Sequence, residues 1–260
     1  HSFLRKLLDQ AGIRDRRIAL TLPDILARVS VVDVANAPRR RKDLADELRF
    51  RIKKSLPFGA EQIRLAFKPV PGNASLYFAG VMHDEVVSQY ENLLGDLGFH
   101  VGVIETSSLS LLNLWQPVAD RQLPKKSDYF LLNLEENYFS VVLVRDGVPI
   151  LLRTLGHRTL TPGGSNGPQY QIDELVREIV PTLIFYRERL DGAVSPTRVY
   201  YRSLRPDLAD LKETLESQFE TQAEALDLHQ SVMVGDNVQI DAPVASKVSA
   251  AAGAALGEAV

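Results

Sequence analysis

Tyr129-Phe-Leu-Leu-Asn-Leu-Glu-Glu-Asn-Tyr-Phe-Ser-Val-Val-Leu-Val-Arg-Asp-Gly-Val-Pro-Ile-Leu-Leu-Arg-Thr-Leu155 is the stretch whose reading decides the fold. It predicts three consecutive strands. Phe130 to Leu134 is an apolar run, and Tyr138 to Val144 is rich in β-branched and aromatic residues, the types that suit a pleated, half-buried surface. Val148 to Leu155 follows Asp146-Gly147, a strong two-residue hairpin signal.

Upstream of this stretch, the pattern alternates between helix and strand. Phe3 to Ala11 reads as a helix with Phe3, Leu4, Leu7 and Leu8 on one side, and Arg17 to Leu22 and Ala27 to Val34 read as strands. Arg40 to Lys54 places Leu44, Leu48 and Ile52 at helical spacing. Ser55-Leu-Pro-Phe58 ends that helix, because Pro57 restricts Leu56 to extended geometry. Gln62 to Pro69 and Ser75 to Met82 are strands joined by a turn at Pro71-Gly72-Asn73. A helix over Asp84 to Leu97 stops at Gly98, a left-handed cap, and Phe99 to Glu105 is the next strand.

Downstream, Gly156 to Gln169 is a glycine- and proline-rich loop. Ile172 to Leu190 is a long helix with Pro181 inside it. Thr197 to Tyr201 is a strand, Asp207 to Phe219 a helix and Ala225 to Leu228 a short strand. An Ala- and Gly-rich helix runs from Asp241 onward, its small residues suited to lying close against a sheet.

Composition narrows the function class. The 260 residues, 45% hydrophobic and 24% charged, are those of an ordinary globular chain able to bury a full-sized core. A net charge of −3 leaves no global field to attract nucleic acid. With no cysteine, disulfides and thiol chemistry are excluded. No run reaches the roughly 18 apolar residues of a membrane-spanning helix. The five histidines show no pair at metal-ligand spacing, so no metal site is expected. Gly163-Gly-Ser-Asn-Gly167 matches the serine hydrolase pattern in letters only, because neither a strand before it nor a helix directly after it holds the serine on a strained turn. Arg39-Arg-Arg-Lys42 with Lys53-Lys54 is the one basic concentration, and the interleaved Asp43, Asp46 and Glu47 make it read as a solvated helix rather than a lipid contact.

A turn between two apolar strands, then a hairpin whose second arm ends in Arg-Thr-Leu, resembles the second phosphate-binding hairpin of the actin-like ATPase superfamily. More specifically, the chain is similar to the PilM-like proteins of type IV pilus inner-membrane platforms. Ile18-Ala-Leu-Thr-Leu-Pro23 and Leu56-Pro57-Phe58 carry that likeness as well, as does the order strand, helix, strand, strand, helix, strand from Val29 to Ile104, which the division protein FtsA shares. The resemblance implies an α/β, actin-like (RNase H-like) two-lobed fold with an inserted small SHS2-type α/β module. Residues 28–105 would be the module and residues 1–27 and 106–260 the core, with a first phosphate-loop hairpin upstream of His1.

The nucleotide chemistry that the superfamily would bring is replaced. Asn133 stands where an Asp would be, Glu135 and Glu136 stand in place of glycines, and Tyr138 stands where a Thr would be. Glycines let backbone N–H groups approach a phosphate, whereas two carboxylates would meet it with like charge, at a cost of about 1 kcal/mol per pair at 4 Å even in water. At the expected adenosine turn, Val199 to Pro206 carries no glycine and presents Arg202 and Leu204. ATP binding is therefore not expected, and neither is enzymatic activity. The resemblance implies instead a cytoplasmic scaffold, peripheral at the inner membrane. It would bind the cytoplasmic peptide of a bitopic PilN-like protein, with Leu56, Pro57 and Phe58 near the groove. Two alternatives remain: a nucleotide-binding ATPase or kinase relative, and an FtsA-like membrane adaptor. The segment Val244 to Val260 is too poor in basic and bulky apolar residues for the adaptor's amphipathic tail.

Overall fold

The computed structural model describes residues 2–10, 12, 15–56, 59–70, 73–156, 168–189, 196–205, 208, 210–235 and 239–257. The chain forms two compact units, His1–Ser110 with Ala251–Val260, and Leu111–Ala250.

In the first unit, helix α1 (Ser2–Gln10) precedes strand β1 (Arg17–Leu22), and strand β2 (Ala27–Asp33) leads to helix α2 (Arg41–Ile52). Strands β3 (Ile63–Val70) and β4 (Asn73–His83), helix α3 (Asp84–Gly95) and strand β5 (His100–Thr106) follow. The three strands β2, β4 and β3 make an antiparallel sheet in that order. Helix α2 packs on it because Leu44, Leu48 and Ile52, spaced four apart, bury together against Val32, Leu65 and Phe67. β5 departs from the grouping expected from element order. It pairs in parallel with β1, leaving the antiparallel sheet with three strands. Leu4 and Leu8 of α1 pack with Ile18, Leu20 and Val101 of this β1–β5 pair and with Leu94, Leu97 and Phe99. Phe3 and Leu7 of the same helix are exposed, so its apolar face is narrower than the sequence suggests. Gly98 takes φ +85°, the left-handed value expected of it after α3.

No element is expected from the pattern between 106 and 127, yet the chain forms helix α4 (Ser107–Gln122) there. Its first turn is held by Asp24, a fully buried carboxylate. Asp24 accepts hydrogen bonds from Ser108 N (2.9 Å), Ser108 Oγ (2.6 Å) and Ser107 Oγ (3.1 Å), which places negative charge at the positive helix end.

The second unit contains β6 (Asp128–Leu134), β7 (Tyr138–Arg145), β8 (Val148–Gly156), α5 (Pro168–Arg189), β9 (Arg198–Ser203), α6 (Leu211–Phe219), β10 (Ala223–Ala225), the short α7 (Leu228–Ser231) and the first half of α8 (Ala242–Gly257), as far as Ala250. The strands form one sheet in the order β10-β9-β6-β7-β8. The decisive stretch is thus the antiparallel meander β6-β7-β8, as expected, with β9 parallel to β6. Asp146 and Gly147 both take positive φ, +50° and +75°, as a tight hairpin turn between right-twisted strands requires.

Alternation along these strands splits the residues between two faces. Phe130, Leu132, Phe139, Val141, Leu143 and Val199 bury against Ile172, Leu175, Ile179, Leu183 and Tyr186 of α5 and against Leu211, Leu215 and Phe219 of α6. Each such fully buried side chain contributes about 1.5–3 kcal/mol. The other face carries Tyr129 and Tyr200, whose rings meet edge to face at 5.5 Å, with the buried Trp115 of α4 at 5.4 Å from Tyr200. Their hydroxyls donate to α4 as well, Tyr129 to Gln116 Oε1 (2.8 Å) and Tyr200 to Gln122 Oε1 (2.7 Å).

Burial raises the Tyr129 phenol above its ordinary range and pushes Tyr200 up to about 12, and Tyr201 is also raised by burial. A folded-state value above the unfolded value near 10 means that this stability is complete below about pH 10 and is lost as pH rises through about 12. Denaturant titrations at stepped alkaline pH should show the unfolding midpoint falling across this window. Tyrosinate absorbance should lag behind that of a free-tyrosine control until unfolding begins.

Candidate functional site

The sheet face turned toward α4 and α8 carries a line of polar side chains where apolar ones would be expected. Register sets them side by side: Arg202 of β9 opposite Asn133 of β6, Asn133 opposite Ser140 of β7, and Ser140 opposite Thr154 of β8. Residues directly opposite in neighbouring strands share a face, so all four side chains project the same way. Asn133 and Ser140 are fully buried and Arg202 nearly so.

Every member has a partner. Arg202 Nη1 donates to Asn133 Oδ1 at 2.7 Å and to Glu135 Oε1 at 2.5 Å. Arg202 Nε donates to the Ser246 carbonyl of α8 at 2.7 Å. The Ser140 and Thr154 hydroxyls share a hydrogen bond of 2.9 Å. Ser246 Oγ donates back to the Ser203 carbonyl at 3.1 Å, so α8 is tied to the end of β9 by bonds in both directions. The Arg202 side chain is 4% exposed and that of Glu135 18%, which makes this a shielded ion pair rather than a surface one.

The candidate residues read from sequence separate into two groups here. Asn133, Glu135 and Arg202 come together. Glu135 does not present the free negative charge expected of it, because the Arg202 guanidinium neutralises it, while Glu136 and Asn137 are exposed at the turn. Tyr138 closes that turn from the β7 side, its carbonyl accepting from Glu135 N at 2.9 Å. None of Glu135, Glu136 and Asn137 takes a positive φ, so the bend has no use for the glycines that a phosphate loop would need. Leu204 N is engaged as well, donating to the Leu134 carbonyl at 2.9 Å. Leu56 packs half-buried against the α2 core of the first unit, while Pro57 and Phe58 lie outside the described residues. The Gly163 to Gly167 run lies outside them too. Ser140, Thr154 and Ser246 were not expected. The signal for Ser140 and Thr154 is a hydroxyl inside an otherwise apolar strand.

No protein-family model matches the chain, and no curated protein matches it. Among solved structures, the PilM-PilN type IV pilus biogenesis complex contains a chain that superposes with a TM-score of 0.82. The likeness covers 98% of this chain and 83% of that one, at 17% sequence identity.

The fold is actin-like.

Two further solved structures are more distant. A protein of Bacteroides thetaiotaomicron with an actin-like ATPase fold is 8% identical, and the cytoplasmic domain of EpsL, an inner-membrane component of the type II secretion system of Vibrio cholerae, is 7% identical. Each gives a TM-score of 0.48 over 76% of this chain, covering 65% and 66% of their own lengths respectively. Among the described residues of this actin-like chain, no group of three or more His, Asp or Glu side chains could hold a metal ion. No described helix is long and apolar enough to cross a membrane.

Proposed function

We propose that this actin-like chain is a non-catalytic scaffold of a type IV pilus or type II secretion inner-membrane platform. It sits at the cytoplasmic face of the membrane and holds the cytoplasmic tail of a bitopic PilN-like protein. The observation that carries this reading is the buried Arg202–Glu135 pair with Asn133. A guanidinium occupies the sheet face at the bend where a phosphate loop would work, and its charge is already satisfied by the protein. A nucleotide would have to break that pair and leave buried groups unmatched. We read Asn133, Glu135, Glu136, Tyr138 and Arg202 accordingly, as a converted nucleotide site.

The near full-length likeness to a chain of the PilM-PilN complex supports the choice of partner. In our reading residues 28–105 are the inserted SHS2-type module, with β5 returning the chain to the core, and the stretch Leu56-Pro57-Phe58 borders the peptide groove. Capture of an extended tail needs a free strand edge and apolar pockets, and no catalytic group.

Titration calorimetry tests this directly. The whole chain should bind a synthetic peptide of the neighbouring PilN-like protein's N-terminal tail with micromolar affinity, and should give no binding heat with magnesium ATP. Micromolar binding of ATP would transfer the case to a nucleotide-using relative. Absence of peptide binding would remove the platform assignment.

A further inference from the structure

We propose that helix α2 docks directly on an anionic lipid bilayer, without any partner protein. Three features of the helix support this. Residues 39–54 contain eight Lys and Arg against three Asp and Glu, a local excess of five positive charges in a chain whose net charge is −3. Two of the three acids are consumed within the helix: Asp46 accepts from Arg49 Nη1 at 3.1 Å and Glu47 from Arg51 Nε at 2.6 Å. Arg39, Arg40, Lys42, Lys53 and Lys54 are exposed and have no acidic partner among the described residues, and only Asp43 opposes them. The interleaved acids therefore do not cancel the patch, contrary to the expectation from sequence order.

The second feature is Phe50. With Leu44, Leu48 and Ile52 turned into the core, helical geometry puts Phe50 on the outward side, where it is 71% exposed. Lys53 and Lys54 follow it by three and four residues, exposed in the 3-10 turn that ends the helix. A single exposed aromatic is ordinary on a protein surface, but one set beside lysines has the pattern of a ring entering the headgroup boundary while the ammonium groups meet phosphate.

Third, the basic residues at the start of α2 do not stabilise the helix. Arg40, Arg41 and Lys42 sit at its N-terminus, where the helix dipole is already positive and cations are unfavourable. Arg41 finds compensation over the Phe67 ring, 4.7 Å from its centroid, while Arg40 and Lys42 face solvent. The two basic groups bracket a helix of twelve residues, about 18 Å long, which suits a helix lying along a planar surface. A single-stranded nucleic acid instead needs a groove that tracks its backbone, and a convex helix face supplies none.

The inference goes beyond the proposed function and stands without it. The full chain would be sedimented with vesicles of phosphatidylcholine and phosphatidylglycerol at about three to one, and with phosphatidylcholine alone. Binding is expected only with the anionic vesicles, and should weaken strongly in high salt. Lys53→Glu with Lys54→Glu should weaken it by at least about 25-fold, taking roughly fivefold for each basic residue lost. Phe50→Ser should weaken it by about tenfold. All three positions are exposed, so unfolding curves should match the parent chain. Equal binding to neutral vesicles, parent-like binding by the variants, no sedimentation with anionic vesicles, or tighter binding to a single-stranded oligonucleotide would each overturn the proposal. Because the vesicles carry no partner protein, failure here leaves the peptide titration untouched.

Discussion

Glu135→Ala should destabilise the Leu111–Ala250 unit by about 3–5 kcal/mol, because it strands the Arg202 charge in the sheet. An arginine cannot escape by giving up its proton, so the cost is not relieved by neutralisation. Asn133 and the Ser246 carbonyl would still accept from the guanidinium, but both are neutral. On the usual scale the thermal midpoint would fall by roughly 10 °C. The informative comparison is Glu135→Leu combined with Arg202→Met. Removing both charges and filling the space with apolar atoms should return stability to near the parent value, because the desolvation cost of the pair disappears with its attraction. Urea unfolding followed by circular dichroism reads both. A loss below about 1 kcal/mol for Glu135→Ala would mean that water already screens the pair, as for exposed ion pairs.

Trp115→Ala should be comparably damaging, at about 3–5 kcal/mol. Trp115 is fully buried in α4 and packs edge-on against Tyr200, so truncation opens a cavity against the middle of the sheet. Trp115→Phe keeps an aromatic ring and should cost clearly less. Since Trp115 is the chain's one tryptophan, unfolding must be followed by far-ultraviolet circular dichroism rather than fluorescence. A second readout separates packing loss from a general defect. Loosening the contact should admit water to Tyr200 and bring its ionisation back toward the ordinary value near 10, narrowing the alkaline window described above.

Much of the second unit was legible from local pattern. The meander β6-β7-β8 and its Asp146-Gly147 turn follow from apolar runs and from a dipeptide that accepts positive φ. The α2 core triplet and the Gly98 cap follow from helical spacing and from glycine's freedom. Helix α4 is not legible in the local pattern, although Leu111, Leu114, Trp115 and Val118 bury with helical spacing. Its serine-rich start and Pro117 look like a loop in isolation, and the buried Asp24 that caps it lies 83 residues from Ser107 in sequence. Element order groups β5 with its neighbours, whereas the sheet pairs it with β1.

The site divides in the same way. That Asn133, Glu135, Glu136, Tyr138 and Arg202 are unlike the residues of a phosphate-binding loop can be read directly from the chain. That Arg202 neutralises Glu135 cannot, because the two lie 67 residues apart and meet only once β9 aligns beside β6. Sequence by itself determined most of the helices and strands, since those preferences depend on neighbours one to four positions away, but not α4 or α7. Only the tertiary structure decided which buried charges face one another. Strand pairing is chosen by the free energy of the whole sheet, and a shift of a single residue would turn Asn133 to the opposite face.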